Sequence, residues 1–122
     1  MSACPFCTPG HSVLFHNSLV YARRDLNPVT PGHLLLIPRR HVVNYFDTTD
    51  QERIALLQLL SEAKVWLVEN YAPDGYNIGI NVGEMAGQTI AHVHMHLIPR
   101  YRDDVENPRG GVRGVIPAKQ SY

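Results

Sequence analysis

The chain has 122 residues, 44% of them apolar, and its eleven basic side chains balance eleven acidic ones. That length fits one domain over residues 1–122, able to bury a core without disulfides. A zero net charge with ordinary apolar content argues against a disordered chain. It also argues against a general binder of nucleic acid or anionic membrane, which needs a positive field. No apolar run reaches the length of a membrane span, and the first residues lack a signal peptide's basic start and apolar core. A cytoplasmic protein is expected.

The chain opens with its only two cysteines, in Cys4-Pro5-Phe6-Cys7. In a reducing compartment such a pair fits a metal or redox site better than a structural disulfide, and the spacing is that of a zinc knuckle. A closed zinc site needs four ligands, so two must come from elsewhere. His11 and His16 are near in sequence, and two free thiols at a terminus remain the plain alternative. Phe15 to Ala22 has strand content and ends at the turn-prone stretch Arg24 to Pro28. Pro31-Gly32 marks another turn, after which His33 to Ile37 forms a buried strand stopped by Pro38.

Thr49 followed by Glu52 has the form of a helix capping box. Beyond it, Ile54, Leu57, Leu60, Lys64 and Leu67 keep a three-to-four spacing, widened by Leu56, Leu59, Ala63 and Trp66. This predicts a helix over residues 50–70 with one apolar face. Pro73-Asp74-Gly75 ends it and starts a strand from Tyr76 to Val82. A glycine-bearing loop, Gly83 to Thr89, leads to the last strand, which stops at Pro99. Strands joined by short turns, with one helix laid over them, predict a mostly antiparallel five-stranded sheet of α+β class. Residues 101–122, with Pro108, Gly110-Gly111 and Pro117, read as an extended C-terminal arm.

That last strand carries His92-Val93-His94-Met95-His96. A strand has a period of two, so the three imidazoles share one face, roughly 6.6 Å apart, while Val93, Met95 and Leu97 face the core. Two plain readings compete: hydrogen-bonded surface histidines, and a three-histidine metal site. Neutral imidazole is available at pH 7 and can attack phosphorus without a separate base, giving a phosphoramidate that water resolves.

The pattern His92 to Ile98 (His-apolar-His-apolar-His-apolar-apolar) also resembles the signature of the histidine triad family of nucleotide hydrolases and transferases. Pro28-Val29-Thr30-Pro31-Gly32-His33 and Gly87-Gln88-Thr89 are similar to two further stretches of that family, so the likeness covers roughly residues 4–100. It implies a homodimer whose sheets join into one antiparallel sheet, with a nucleotide site in each subunit. It implies that His94 is the nucleophile and that His96 contacts the phosphate and leaving group. Asp25 would take the ribose hydroxyls, although it could equally open the turn before Pro28. Asn81 and the loop of Gly87, Gln88 and Thr89 would hold phosphate. His33 would support the triad or simply be a core histidine.

The same resemblance implies a structural zinc held by Cys4, Cys7, His41 and His92 in an N-terminal segment 1–11, with no organic cofactor. His11 or His16 stays open in place of His41. The expected substrate is an adenine dinucleoside polyphosphate. The alternatives are an adenosine phosphoramidate, favoured by Asp25 and Asn81, a phosphorylase or nucleotidyl transferase, and a nucleotide-binding regulatory protein without turnover. Arg113 in the arm is expected to reach a distal phosphate of the partner subunit's site.

Overall fold

The computed structural model describes residues 4–122, so residues 1–3 of the proposed 1–11 segment lie outside it. Five strands and one long helix follow in chain order: β1 (Phe15–His16), β2 (Val20–Arg24), β3 (Leu34–Pro38), α1 (Asp50–Tyr71), β4 (Gly75–Gly79) and β5 (Met95–Arg100). All neighbours pair antiparallel, in the spatial order β1-β2-β3-β5-β4. The expected α+β class and single covering helix are what the chain adopts.

Where one strand was expected from Phe15 to Ala22, a hairpin is found. Asn17 breaks it, because its side-chain carbonyl accepts the N–H groups of Leu19 and Val20 at 3.0 and 2.9 Å. Its amide also donates to the carbonyl of Ala55, tying the turn to the helix. The next connection turns at Thr30-Pro31-Gly32-His33, closed by His33 N–H to Thr30 C=O. Gly32 sits there at φ +88, and an added Cβ would lie 3.0 Å from Leu67 and 3.1 Å from the Tyr71 ring. Proline at the second and glycine at the third position suit a type II turn, and here glycine also lets α1 approach.

The helix begins as the capping box predicts: Thr49 accepts from Glu52 N–H, and the Glu52 carboxylate accepts from Thr49 N–H. Glu52 is buried and also takes a fork of two bonds from Arg40, which holds its carboxyl below the usual range. Only part of the expected apolar face is inside. Ala55, Leu56, Leu59, Ala63 and Leu67 are buried, whereas Ile54, Leu57, Val65 and Val68 are exposed. The helix therefore carries two apolar stripes, and only one of them meets the sheet.

Strand parity divides the core. Val20, Ala22, Leu34, Leu36, Met95 and Leu97 face α1. Each buried valine, leucine or methionine among them contributes about 1.5–3 kcal/mol. Tyr21, Leu35 and Ile37 face the other way, under Phe6. The helix thus leaves one sheet face open to the N-terminal loop and to a cavity. Residues 101–122 do not run straight: they fold into 3-10 turns at Gly111–Val115 and Pro117–Lys119. Among the described residues no helix is long and apolar enough to cross a membrane.

Candidate active site

The three histidines do not share one strand. Pairing of β3 with β5 stops at Leu36 and Met95, so only His96 lies in the ladder. The cause is local: Pro38 has no N–H to donate, and its carbonyl accepts from His92 Nε2 at 2.7 Å instead of from backbone. Val93 N–H turns to the carbonyl of Val42. Met95 and Leu97 still face α1, as alternation predicted. His94 and His96 remain neighbours on the open face, their ring centroids 5.1 Å apart, while His92 turns away toward the cysteines.

A carbonyl can only accept, so each ring bonded to one has its proton fixed. His94 Nδ1 lies 2.8 Å from the carbonyl of His92 and must donate to it. In the neutral ring Nε2 is then a bare lone pair, and His94 lines a cavity of about 1220 Å³. His33 is read from the other end. Val29 N–H donates to His33 Nδ1 at 3.0 Å, so the His33 proton sits on Nε2, which points at His96 Nδ1, also at 3.0 Å. His96 must accept there, so its own proton lies on Nε2. Burial above all, together with the neighbouring His94 and His33, lowers the pKa of His96 to about 4, so it is neutral at pH 7. Burial likewise lowers that of His33, against the opposing pull of Asp25.

Asp25 ends this chain of groups, 3.4 Å from His33 Nε2 and 3.8 Å from His96 Nδ1. Its other oxygen caps the turn by accepting from Asn27 N–H, so the turn-opening reading of Asp25 also holds. The donor atoms of Asp25, His33 and His96 are close enough for a metal. A metal on His33 Nε2 would force the ring proton onto Nδ1, against the N–H of Val29. These three therefore form a proton-sharing network.

Of the other expected residues, Asn81 lines the cavity two positions beyond the end of β4, as do Gly87 and Thr89. Gln88 does not line it. Its amide braces the loop through Val43 and Ile90, and its carbonyl accepts from Gly83 N–H. The backbone N–H groups of Gly87 and Gln88 are spent on Glu84 and Gly83, which leaves the Thr89 side chain as that loop's polar offering. Arg113 donates to the carbonyl of Lys119 and lies 4.8 Å from the Tyr122 ring. It closes the tail on itself, while Val112, Val115 and Gln120 line the cavity of their own chain. Leu35, Ile98 and Phe6 also line it and were missed in the sequence. The parity of Leu35 with His33, and of Ile98 with His96, could have found two of them.

The second cluster joins Cys4, Cys7, His41 and His92, with all four ligand atoms within 4.8 Å of one another. His41 is thus preferred over His11, which is exposed, and over His16, which bonds to the carbonyl of Asn17. The test that His33 fails, His92 passes. Its Nε2 proton is committed to the Pro38 carbonyl, so the Nδ1 lone pair faces Cys4 Sγ at 3.2 Å and Cys7 Sγ at 3.6 Å. His41 Nδ1 lies 3.2 Å from Cys7 Sγ. Two thiols and two imidazole lone pairs suit a closed structural zinc. A three-histidine metal site fails, because His92 and the other two triad rings serve different clusters.

The HIT domain family matches residues 9–103. The chain belongs to the HIT family. The HIT protein described here is 38% identical over 94 residues to the AP-4-A phosphorylase of Mycobacterium tuberculosis, covering 75% of this chain and 48% of that one. It is 36% identical over 103 residues to the bis(5'-adenosyl)-triphosphatase of Dictyostelium discoideum, covering 84% and 69%. It thus spans between half and about two thirds of these curated relatives. A zinc-bound histidine triad family protein from Mycobacterium smegmatis shares the fold with a TM-score of 0.76 and 30% identity, over 84% of this chain and 78% of that one.

Proposed function

We propose that this HIT protein is a nucleotide hydrolase or nucleotidyl transferase acting on adenine dinucleoside polyphosphates through a covalent nucleotidyl-His94. The observation that carries the reading is the bond from His94 Nδ1 to the His92 carbonyl, which commits the proton and leaves a bare Nε2 on a ring that lines the cavity. In the proposed step the Nε2–phosphorus bond forms and the phosphorus–oxygen bond to the leaving nucleotide breaks. The leaving phosphate departs with the electron pair as an anion and needs no proton. Water, or phosphate in a phosphorylase, then displaces the imidazole.

His96 Nε2–H acts as a hydrogen-bond donor to the phosphate, a role suited to a ring that stays neutral. Asn81 and the Thr89 hydroxyl are the other proposed phosphate contacts. Gly87 and Gln88 would shape their loop, and Asp25 would meet the ribose from beside His33. The names of the phosphorylase and triphosphatase relatives favour polyphosphate substrates. One observation favours the phosphoramidate reading: Arg100 lines the cavity but is already bonded to Asp104 and Asn77, so no free guanidinium greets a polyphosphate there.

We assign a structural zinc to Cys4, Cys7, His41 and His92, a reading that keeps the thiols reduced and the protein in the cytoplasm. We also assign a homodimer. Strand β4 ends the sheet, and the exposed stripe of Ile54, Leu57, Val65 and Val68 gives a second copy an apolar helix face to cover.

Kinetics on a panel of adenine and guanine dinucleotides and adenosine phosphoramidates test the function. Wild type should turn over the adenine dinucleotides best, and His94→Ala should lose at least roughly a thousandfold in kcat, about 4 kcal/mol, while still binding AMP. Near-wild-type turnover by that variant contradicts the assignment.

A further inference from the structure

We propose that Phe6, carried between the two zinc-ligating cysteines, is a positioning residue that fixes the ring of His94. The inference rests on the reading of His94 as nucleophile and adds a reason for the N-terminal loop to exist beyond holding the terminus.

The loop is tight: Cys7 N–H donates to the carbonyl of Cys4, so Phe6 can move little once both thiolates are held. Its backbone is pinned a second time, by the Tyr21 hydroxyl donating to the Phe6 carbonyl at 2.7 Å. The side chain is 4% exposed, and its ring lies 5.1 Å from that of His94 at an interplanar angle of 71°. It also meets His92 edge-on at 5.9 Å, and the Arg23 guanidinium lies 5.6 Å from it.

His94 needs this contact. One hydrogen bond, from Nδ1 to the His92 carbonyl, sets one end of the ring but leaves it free to tilt about that bond. The two aromatic neighbours, Phe6 on one hand and His96 at 5.1 Å on the other, define the tilt and hence where Nε2 points. The zinc cluster reaches His94 twice over. His92 offers its ring to the cluster and its carbonyl to His94, and the cysteines carry Phe6. Because displacement at phosphorus tolerates little misdirection, an error of about 1 Å in the attacking atom can cost roughly a hundredfold.

Phe6→Leu tests the idea, since leucine keeps an apolar plug over Tyr21, Leu35 and Ile37 but removes the aromatic edge; Phe6→Ala repeats the test at smaller volume. Zinc content, AMP affinity, kcat on an adenine dinucleotide, and the long-range proton–nitrogen NMR signature of the His94 ring are measured together, at one pH, on the zinc-loaded protein. The proposal expects full zinc, AMP affinity within about twofold, kcat down by about ten- to a hundredfold, and His94 ring signals that shift and broaden while the Nδ1–H tautomer set by the His92 carbonyl persists. An unchanged His94 signature with kcat within about threefold of wild type overturns it. So does a variant that loses zinc and AMP affinity in step with kcat, because Phe6 would then be a packing residue only. The NMR signature reads Phe6 even if no nucleotide ever bonds to His94, so failure here and failure of the proposed function are distinguishable.

Discussion

His92, His94 and His96 look interchangeable in the sequence, and backbone partners make them different. His92 is assigned by the Pro38 carbonyl, His94 by the carbonyl of His92, and His96 by the two successive hydrogen bonds that run from Val29 N–H to His33 and from His33 to His96. The last chain has a consequence for stability. The unfolded His96 has a pKa near about 6.5, and the folded one about 4. Above pH 6.5 both states are neutral and the folded state keeps its full stability. As pH falls from 6.5 toward 4 the unfolded chain takes a proton that the folded one refuses, and stability is lost. Urea midpoints between pH 7.5 and 4.5 should therefore fall more steeply for wild type than for His96→Asn. Parallel curves would contradict the assignment.

At the scale of elements, α1 shows what local signals do and do not convey. Thr49 and Glu52 announced its start, and the capping box is there because both groups of that pair are within four residues. Its end is less comfortable: Ala72, whose N–H reaches the carbonyl of Leu67, holds the left-handed φ of +49 at which the chain leaves the helix. Glycine takes that conformation without a Cβ penalty, so Ala72→Gly should raise unfolding stability by about 1 kcal/mol. A lower urea midpoint would show that the cap is not strained. The hairpin at Asn17 was hidden by the strand content of its flanks, although its bonds to Leu19 and Val20 are local. The early end of the β3–β5 ladder at Met95 was not legible, because it depends on a proline across the sheet. The division of the helix into a buried and an exposed apolar stripe was illegible for a like reason. Periodicity reports apolar faces, and only the sheet says which one it covers. The lining of the cavity was legible at His94, His96, Asp25 and Asn81, which lie in or beside short motifs. It was not legible for Phe6, Leu35 and Ile98, whose roles come from facing a cavity that tertiary packing creates.

At the largest scale the described residues form a sheet with a helix on one face and a cavity on the other, and Cys4, Cys7, His41 and His92 gather at the N-terminal side. Metal that binds only the folded chain adds its binding free energy to stability. Chelation should lower the thermal midpoint of wild type and leave that of a Cys4→Ser, Cys7→Ser double variant unmoved; an equal response of the two would remove the zinc assignment. The exposed stripe predicts a second whole-molecule property. Leu57 is 60% exposed in one chain, so Leu57→Asp should hardly change folding of the subunit yet should shift sedimentation from dimer to monomer. A wild type that sediments as a monomer, or a variant that stays dimeric, contradicts that interface.

The central claim is that one imidazole nitrogen of His94 takes a nucleotide onto itself, and intact-protein mass after rapid quenching reads it directly. Mixed with an adenine dinucleoside polyphosphate, the wild type should gain the mass of one adenylyl group, localised to His94 and absent from His94→Ala. Turnover without any such adduct at the earliest quench times, or an adduct that persists in His94→Ala, would contradict the account.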